Sequence, residues 1–212
     1  MWYTEEKTVE GAEGNVLKLY SPKAAERIIR RYDSRIEEIA ERYQLPGAFI
    51  RALLYTELIR IDLFDLIADL VVRVNLSRGA SEGPGLLHKR DSSTGPGQIF
   101  GFVAINAANF AAERGLASYA SLGLPERRLD PNSSDDLRLV WPRLNRDPEF
   151  NITMSALNLI AAAEEVTGRI DFPGYSPEEI QRVYTRYNGT VPNITPYGEE
   201  AYRNYLRYAG FA

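Results

Sequence analysis

The chain has no cysteine and only one histidine, His88, in 212 residues. The first absence removes disulfides, thiol nucleophiles and cysteine-based zinc or iron–sulfur sites. The second leaves no multi-histidine metal centre and makes a Ser-His-Asp triad improbable. A metal ion or cofactor is therefore not expected, and any chemistry falls to carboxylates, hydroxyls and amides. Excess charge is also missing: 25 basic residues stand against 29 acidic ones, a net charge of −4. Arginine outnumbers lysine but is scattered, so nothing points to a nucleic-acid partner. No apolar run approaches the ~20 residues that cross a bilayer, so no membrane span is expected. The first 23 residues carry Glu5, Glu6, Glu10 and Glu13 without an apolar stretch, which is not the pattern of a secretory signal.

What is present is helical periodicity. Apolar residues make up 44% of the chain, enough for a sizeable core in one medium domain. Over 22–43, Ala25, Ile28, Ile29, Tyr32, Ile36, Ile39, Ala40 and Tyr43 recur at spacings of three and four, which predicts one helix. Pro46-Gly47 ends it, and a second helix is expected over 48–73. The stretch 75–94 is rich in Ser, Gly and Pro and reads as loop, and His88 within it reads as a loop histidine without a chemical role. A helix over 102–114 closes at Gly115, and 122–146, with its three prolines, reads as irregular. Asp147-Pro148 opens a helix over 151–167 that ends at Gly168. Ser176-Pro177-Glu178-Glu179 is a capping box for a helix through 187, and a last helix begins near Gly198. No strand series and no internal repeat is legible. The fold class is mainly α.

Three features carry chemistry. Glu57 follows Leu54 and Leu53 by three and four positions and precedes Ile61 by four, so it sits on its helix's apolar stripe. Lost hydration raises a carboxyl pKa, as a general acid requires, although a buried glutamate satisfied by a hydrogen bond has the same pattern. The second feature is 92–99, Ser-Ser-Thr-Gly-Pro-Gly-Gln-Ile. Its glycines, Gly95 and Gly97, allow close backbone approach to a ligand, and Gln98 can donate and accept toward sugar hydroxyls or an N-acetyl group. A surface turn before a helix would look alike. The third is Tyr187-Asn188-Gly189, suited to sugar recognition and equally to an ordinary helix end. Asp62, Asp65 and Asp69 read as one solvated face, with Asp69 paired to Arg73.

In this order the segments Leu53-Leu54-Tyr55-Thr56-Glu57, 93–99, Asp147-Pro148-Glu149-Phe150-Asn151-Ile152, Tyr187-Asn188-Gly189 and Tyr197-Gly198 with Tyr205 resemble the lytic transglycosylase and goose-type lysozyme superfamily. The resemblance spans about 36–208 and rests on the ordered set, since each motif is short. Leu58 stands where the family usually has Ser, the glycine segment is Gly-Pro-Gly-Gln rather than Gly-Leu-Met-Gln, and 59–89 is longer than the usual link. The resemblance implies a lysozyme-like single catalytic domain, 36–212, behind an N-terminal helical extension, 1–35. It implies cleavage of the β-1,4 bond between N-acetylmuramic acid and N-acetylglucosamine, giving 1,6-anhydro products with Glu57 as acid and base. Ser93, Gly95, Gln98, Tyr187 and Asn188 would bind the glycan. The partner would be peptidoglycan strands in the periplasm or outside the cell. With no leader legible, the chain would reach them as a trimmed form or through a delivery machine, where an inhibitor or immunity protein is a further partner. Three alternatives stay open: a hydrolytic muramidase with Asp91 as second carboxylate, a chitin-active enzyme, and a non-catalytic binding module.

Overall fold

A computed structural model describes residues 18–78, 89–172, 174–189 and 193–211. Among them the chain forms α1 (Pro22–Arg31), α2 (Asp33–Tyr43), α3 (Gly47–Leu58), α4 (Leu63–Arg78), α5 (Gly101–Glu113), α6 (Ser134–Arg146), α7 (Pro148–Thr167), α8 (Pro177–Asn188) and α9 (Pro196–Tyr208). Only isolated bridges, Lys18 with Asp62 and Thr94 with Ile99, stand in for strands among the described residues. None of the described helices is long and apolar enough to cross a membrane.

The helices start where side chains satisfy the first free amides. Asp147 accepts from the amide of Phe150 at α7, and Ser176 and Glu179 form the reciprocal box at α8. Gly168 closes α7 in the left-handed conformation that glycine adopts without strain. Four expectations are corrected. The helix over 22–43 breaks at Tyr32 into α1 and α2, so a boundary at 35 falls inside α2. The helix over 48–73 breaks after Leu58, and α4 then runs to Arg78 through the first residues expected as loop. The irregular stretch contains α6, which Ser133 caps and which carries Pro142 in its interior. The last helix starts at Pro196 behind Thr195, ahead of the expected Gly198.

Two helices form the centre. α3 buries Phe49, Ile50 and 52–58, and α7 is buried along most of its length, so both are enclosed on all sides instead of presenting one stripe. α9 and α8 pack against each other, and α3 packs on α9, α1 and α2. α7 carries α5, α6 and α8. The core is continuous from Leu19 and Tyr20 through Trp141 to Tyr184 and Ala201. Polar ties fix the layers: Tyr184 donates to the carbonyl of Phe49 at 3.1 Å, and Asn204 donates to Thr56 at 2.9 Å.

Candidate active site

Glu57 occupies the last turn of α3, a helix with no solvent-facing side at that level. It is 8% exposed. Burial pushes its carboxyl up to about 7. A hydrogen bond donated by Tyr197 and the nearby Arg60 cation act in the opposite direction, and the Asp65 and Glu200 charges add slightly to the rise. Arg60 lies over the Tyr197 ring, 4.9 Å from its centre, and pairs with Glu200. One side of the carboxyl is thus held by an aromatic hydroxyl that an arginine keeps in place.

The other side opens on a cleft of about 370 Å³, and Ser93, Gln98, Tyr187 and Asn188 line it with Glu57. Four of the five expected glycan-binding residues therefore meet the expected acid in one place. They come from α3, the loop before α5, and the end of α8. Phe100, Tyr187 and Asn188 continue into a second groove of about 770 Å³ between α5 and α7.

Gly95 is the exception, because the glycine segment approaches protein and not the open cleft. A Cβ on Gly95 would lie 2.0 Å from Asn151 Nδ2, and one on Gly97 would lie 2.0 Å from Ser155 Oγ. Asn151 holds the segment by accepting from the Gly97 amide at 2.9 Å and donating to the Thr94 carbonyl at 2.8 Å. The glycines let this loop lie flush on α7. Gln98 follows at φ 45°, a left-handed position unusual for a residue with a side chain, and its amide donates to the Gly95 carbonyl at 2.9 Å. The Tyr187 hydroxyl donates to the Gly97 carbonyl at 2.6 Å, so Tyr187 meets the cleft with its ring while its polar tip braces the loop.

The carboxylates differ from expectation. Asp91 does not line the cleft; its two oxygens accept from the amides of Gly101 and Phe102, each at 2.8 Å, and so cap α5. Burial raises its pKa to about 6. Asp62 and Asp65, read as part of a solvated face, line the cleft beside Glu57. They cap α4 reciprocally: Asp62 accepts from the Phe64 amide at 2.8 Å, and Asp65 from the Asp62 amide at 2.9 Å. Asp69 is buried at 2% exposure and accepts from Ser92 at 2.8 Å and Thr94 at 2.6 Å, while Arg73 donates to Asn145. The α3–α4 break causes this, since it turns α4 away from the line of α3. Among the described residues no three His, Asp or Glu side chains group as metal ligands, and His88 lies outside them.

No protein-family model, curated protein or solved structure matches this chain. The functional reading rests on the site.

That site contains two residues that the sequence motifs left without a role. Tyr197 was visible only as part of a Tyr-Gly pair, and nothing local revealed that its hydroxyl reaches Glu57 across 140 positions. Arg60 has no pattern of its own. It acts through the helix break that brings it over Tyr197.

Proposed function

We propose that the chain is a peptidoglycan-cleaving glycosidase of the lytic transglycosylase type on a lysozyme-like fold, acting at the cell wall with Glu57 as its acid and base. The observation that carries this reading is a buried carboxyl with its pKa pushed up to about 7, at the wall of an open cleft lined by hydroxyl and amide side chains. A carboxyl so placed is partly protonated at neutral pH and can give a proton to a glycosidic oxygen. The resulting carboxylate has Tyr197 beside it to stabilise the charge, and then takes a proton from the C6 hydroxyl of the muramic acid. That hydroxyl attacks the anomeric carbon, the bond to the leaving sugar breaks, and a 1,6-anhydro ring closes. The nucleophile belongs to the substrate, so its positional entropy is already spent.

A hydrolytic outcome has one observation in its favour. Asp65 shares the cleft and acts electrostatically on Glu57, the place from which a second carboxylate would position water. Mass spectrometry of peptidoglycan digested with the protein tests both readings, because anhydro and reducing-end products differ by one water. Anhydro products are expected. Glu57→Gln keeps the shape without a proton to deliver and should lower turnover by about 10² to 10⁴ in a folded protein. Undiminished cleavage by that variant, or intact glycan after digestion with the unaltered protein, would overturn the proposal.

A further inference from the structure

A separate pocket, of about 240 Å³, lies between the C-terminal half of α4 and α6. Three arginines line it, Arg73, Arg138 and Arg146, above an apolar floor of Leu76, Trp141 and Pro142. Three guanidinium groups converging on a concave surface repel one another unless anions compensate them. Compensation inside the protein is incomplete. Arg138 pairs with the exposed Asp135 at 2.7 Å. Arg73 and Arg146 have no carboxylate partner among the described residues, although the whole chain is net acidic.

Arg73 and Arg138 are also held in position. Arg73 donates one terminal nitrogen to Asn145 Oδ1 at 2.7 Å. Asn145 is itself 2% exposed and is fixed by its bonds to Thr94 at 2.7 Å and Asp69 at 3.1 Å. Arg138 donates its Nε to the Leu76 carbonyl at 3.2 Å. The Nε of Arg73 is buried without any hydrogen-bond partner. A buried donor left unmet carries a desolvation cost that a bound acceptor would remove. The floor adds shape: Trp141 is held by its indole N–H, which donates to the Ser92 carbonyl at 3.0 Å.

We infer that this pocket binds a small organic carboxylate whose oxygens meet Arg73 and Arg146 and whose apolar body rests on Leu76 and Pro142. A planar guanidinium matches a planar carboxylate through paired N–H donors. The apolar floor selects against a bare inorganic anion, which would leave it wet. Such a ligand could be a free acid or the C-terminal carboxylate of a peptide, and both offer the same chemistry to the pocket.

The test is NMR titration of the full chain with benzoate, benzamide and acetate, following the Trp141 indole and Arg73 Nε signals. Benzoate should shift them saturably, acetate should bind more weakly, and benzamide, uncharged and of the same shape, should leave them in place. A short peptide ending in phenylalanine and its C-terminal amide form a second pair, and binding of the acid alone would identify the peptide source. Arg146→Met, at an exposed position, and Arg73→Met should each weaken benzoate at least about tenfold. Benzamide shifts equal to those of benzoate would overturn the inference. So would unchanged affinity in folded Arg146→Met, or shifts that never saturate.

Discussion

Removing the Tyr197 hydroxyl should move the pH dependence of cleavage upward. Tyr197 donates to the Glu57 carboxyl and favours its charged form, opposing the burial that raises its pKa to about 7. In Tyr197→Phe that opposition is lost and burial remains. A hydrogen bond to a charged group contributes ~1.5–3 kcal/mol net, and one pKa unit is about 1.36 kcal/mol. The protonated carboxyl keeps part of the bond in the unaltered protein, so the expected rise is about one unit, to about 8. In the proposed reaction Glu57 acts first as an acid, so activity should persist while it is protonated and fall as pH rises through its pKa. The assay is the pH profile of kcat/KM on solubilised peptidoglycan, with circular dichroism to confirm folding. The alkaline limb should shift up by about one unit while the plateau falls, because the carboxyl is less well held. A limb that stays in place, or moves down, in a folded variant would refute the assignment of Tyr197 as the group that tunes Glu57.

Four further outcomes follow from the same geometry. Glu57→Gln should stabilise the protein above pH 8, because burial holds the Glu57 carboxyl at about 7, above the ordinary glutamate value of 4.5. The charged form costs about 3 kcal/mol in the fold, a cost absent below pH 4 and complete above pH 8, so the gain in melting temperature should shrink as pH falls. Asp65→Asn should leave anhydro products unchanged and reduce turnover less than about tenfold, whereas a loss of a hundredfold with reducing-end products would establish hydrolysis. Asp91→Asn should cost about 1–3 kcal/mol in a urea melt, since one of two capped amides loses its acceptor, while turnover per folded molecule stays within a few-fold. Gly97→Ala should destabilise by about 1–3 kcal/mol through its clash with Ser155, and Ser155→Gly in the same chain should restore most of that loss.

The parts of this molecule that were legible in the sequence are those governed by neighbours in the chain. The capping box at Ser176, the Asp147-Pro148 start and the Gly168 stop are local devices, and each is where the pattern predicts. Interruptions were harder to see. The apolar spacing of 22–43 continues across Tyr32, because α1 and α2 both turn their apolar faces to the same core. α6 was hidden by Pro142, which removes one amide yet sits in a helix held by Trp141 and Leu144 at the core. At the site, Ser93, Gln98, Tyr187 and Asn188 were found because their motifs are compact. Their individual tasks were not, since Gly97 is matched to Ser155 and Asn151, and Tyr187 to Gly97, only through tertiary contact. The same holds for the aspartates: a four-residue break after Leu58 moves Asp65 into the cleft and Asp69 into the interior.

The loop bearing Ser93 and Gln98 is tied to two helices at once, by Asn151 from α7 and by the Tyr187 hydroxyl from α8. To widen the cleft at this point would mean breaking three hydrogen bonds and lifting glycines off a surface they fit without a gap. The wall therefore behaves as a die instead of a jaw. A glycan strand cleaved as proposed would therefore enter by sliding along this wall, take its register from the fixed width, and leave by sliding on, without a reopening step between one cut and the next.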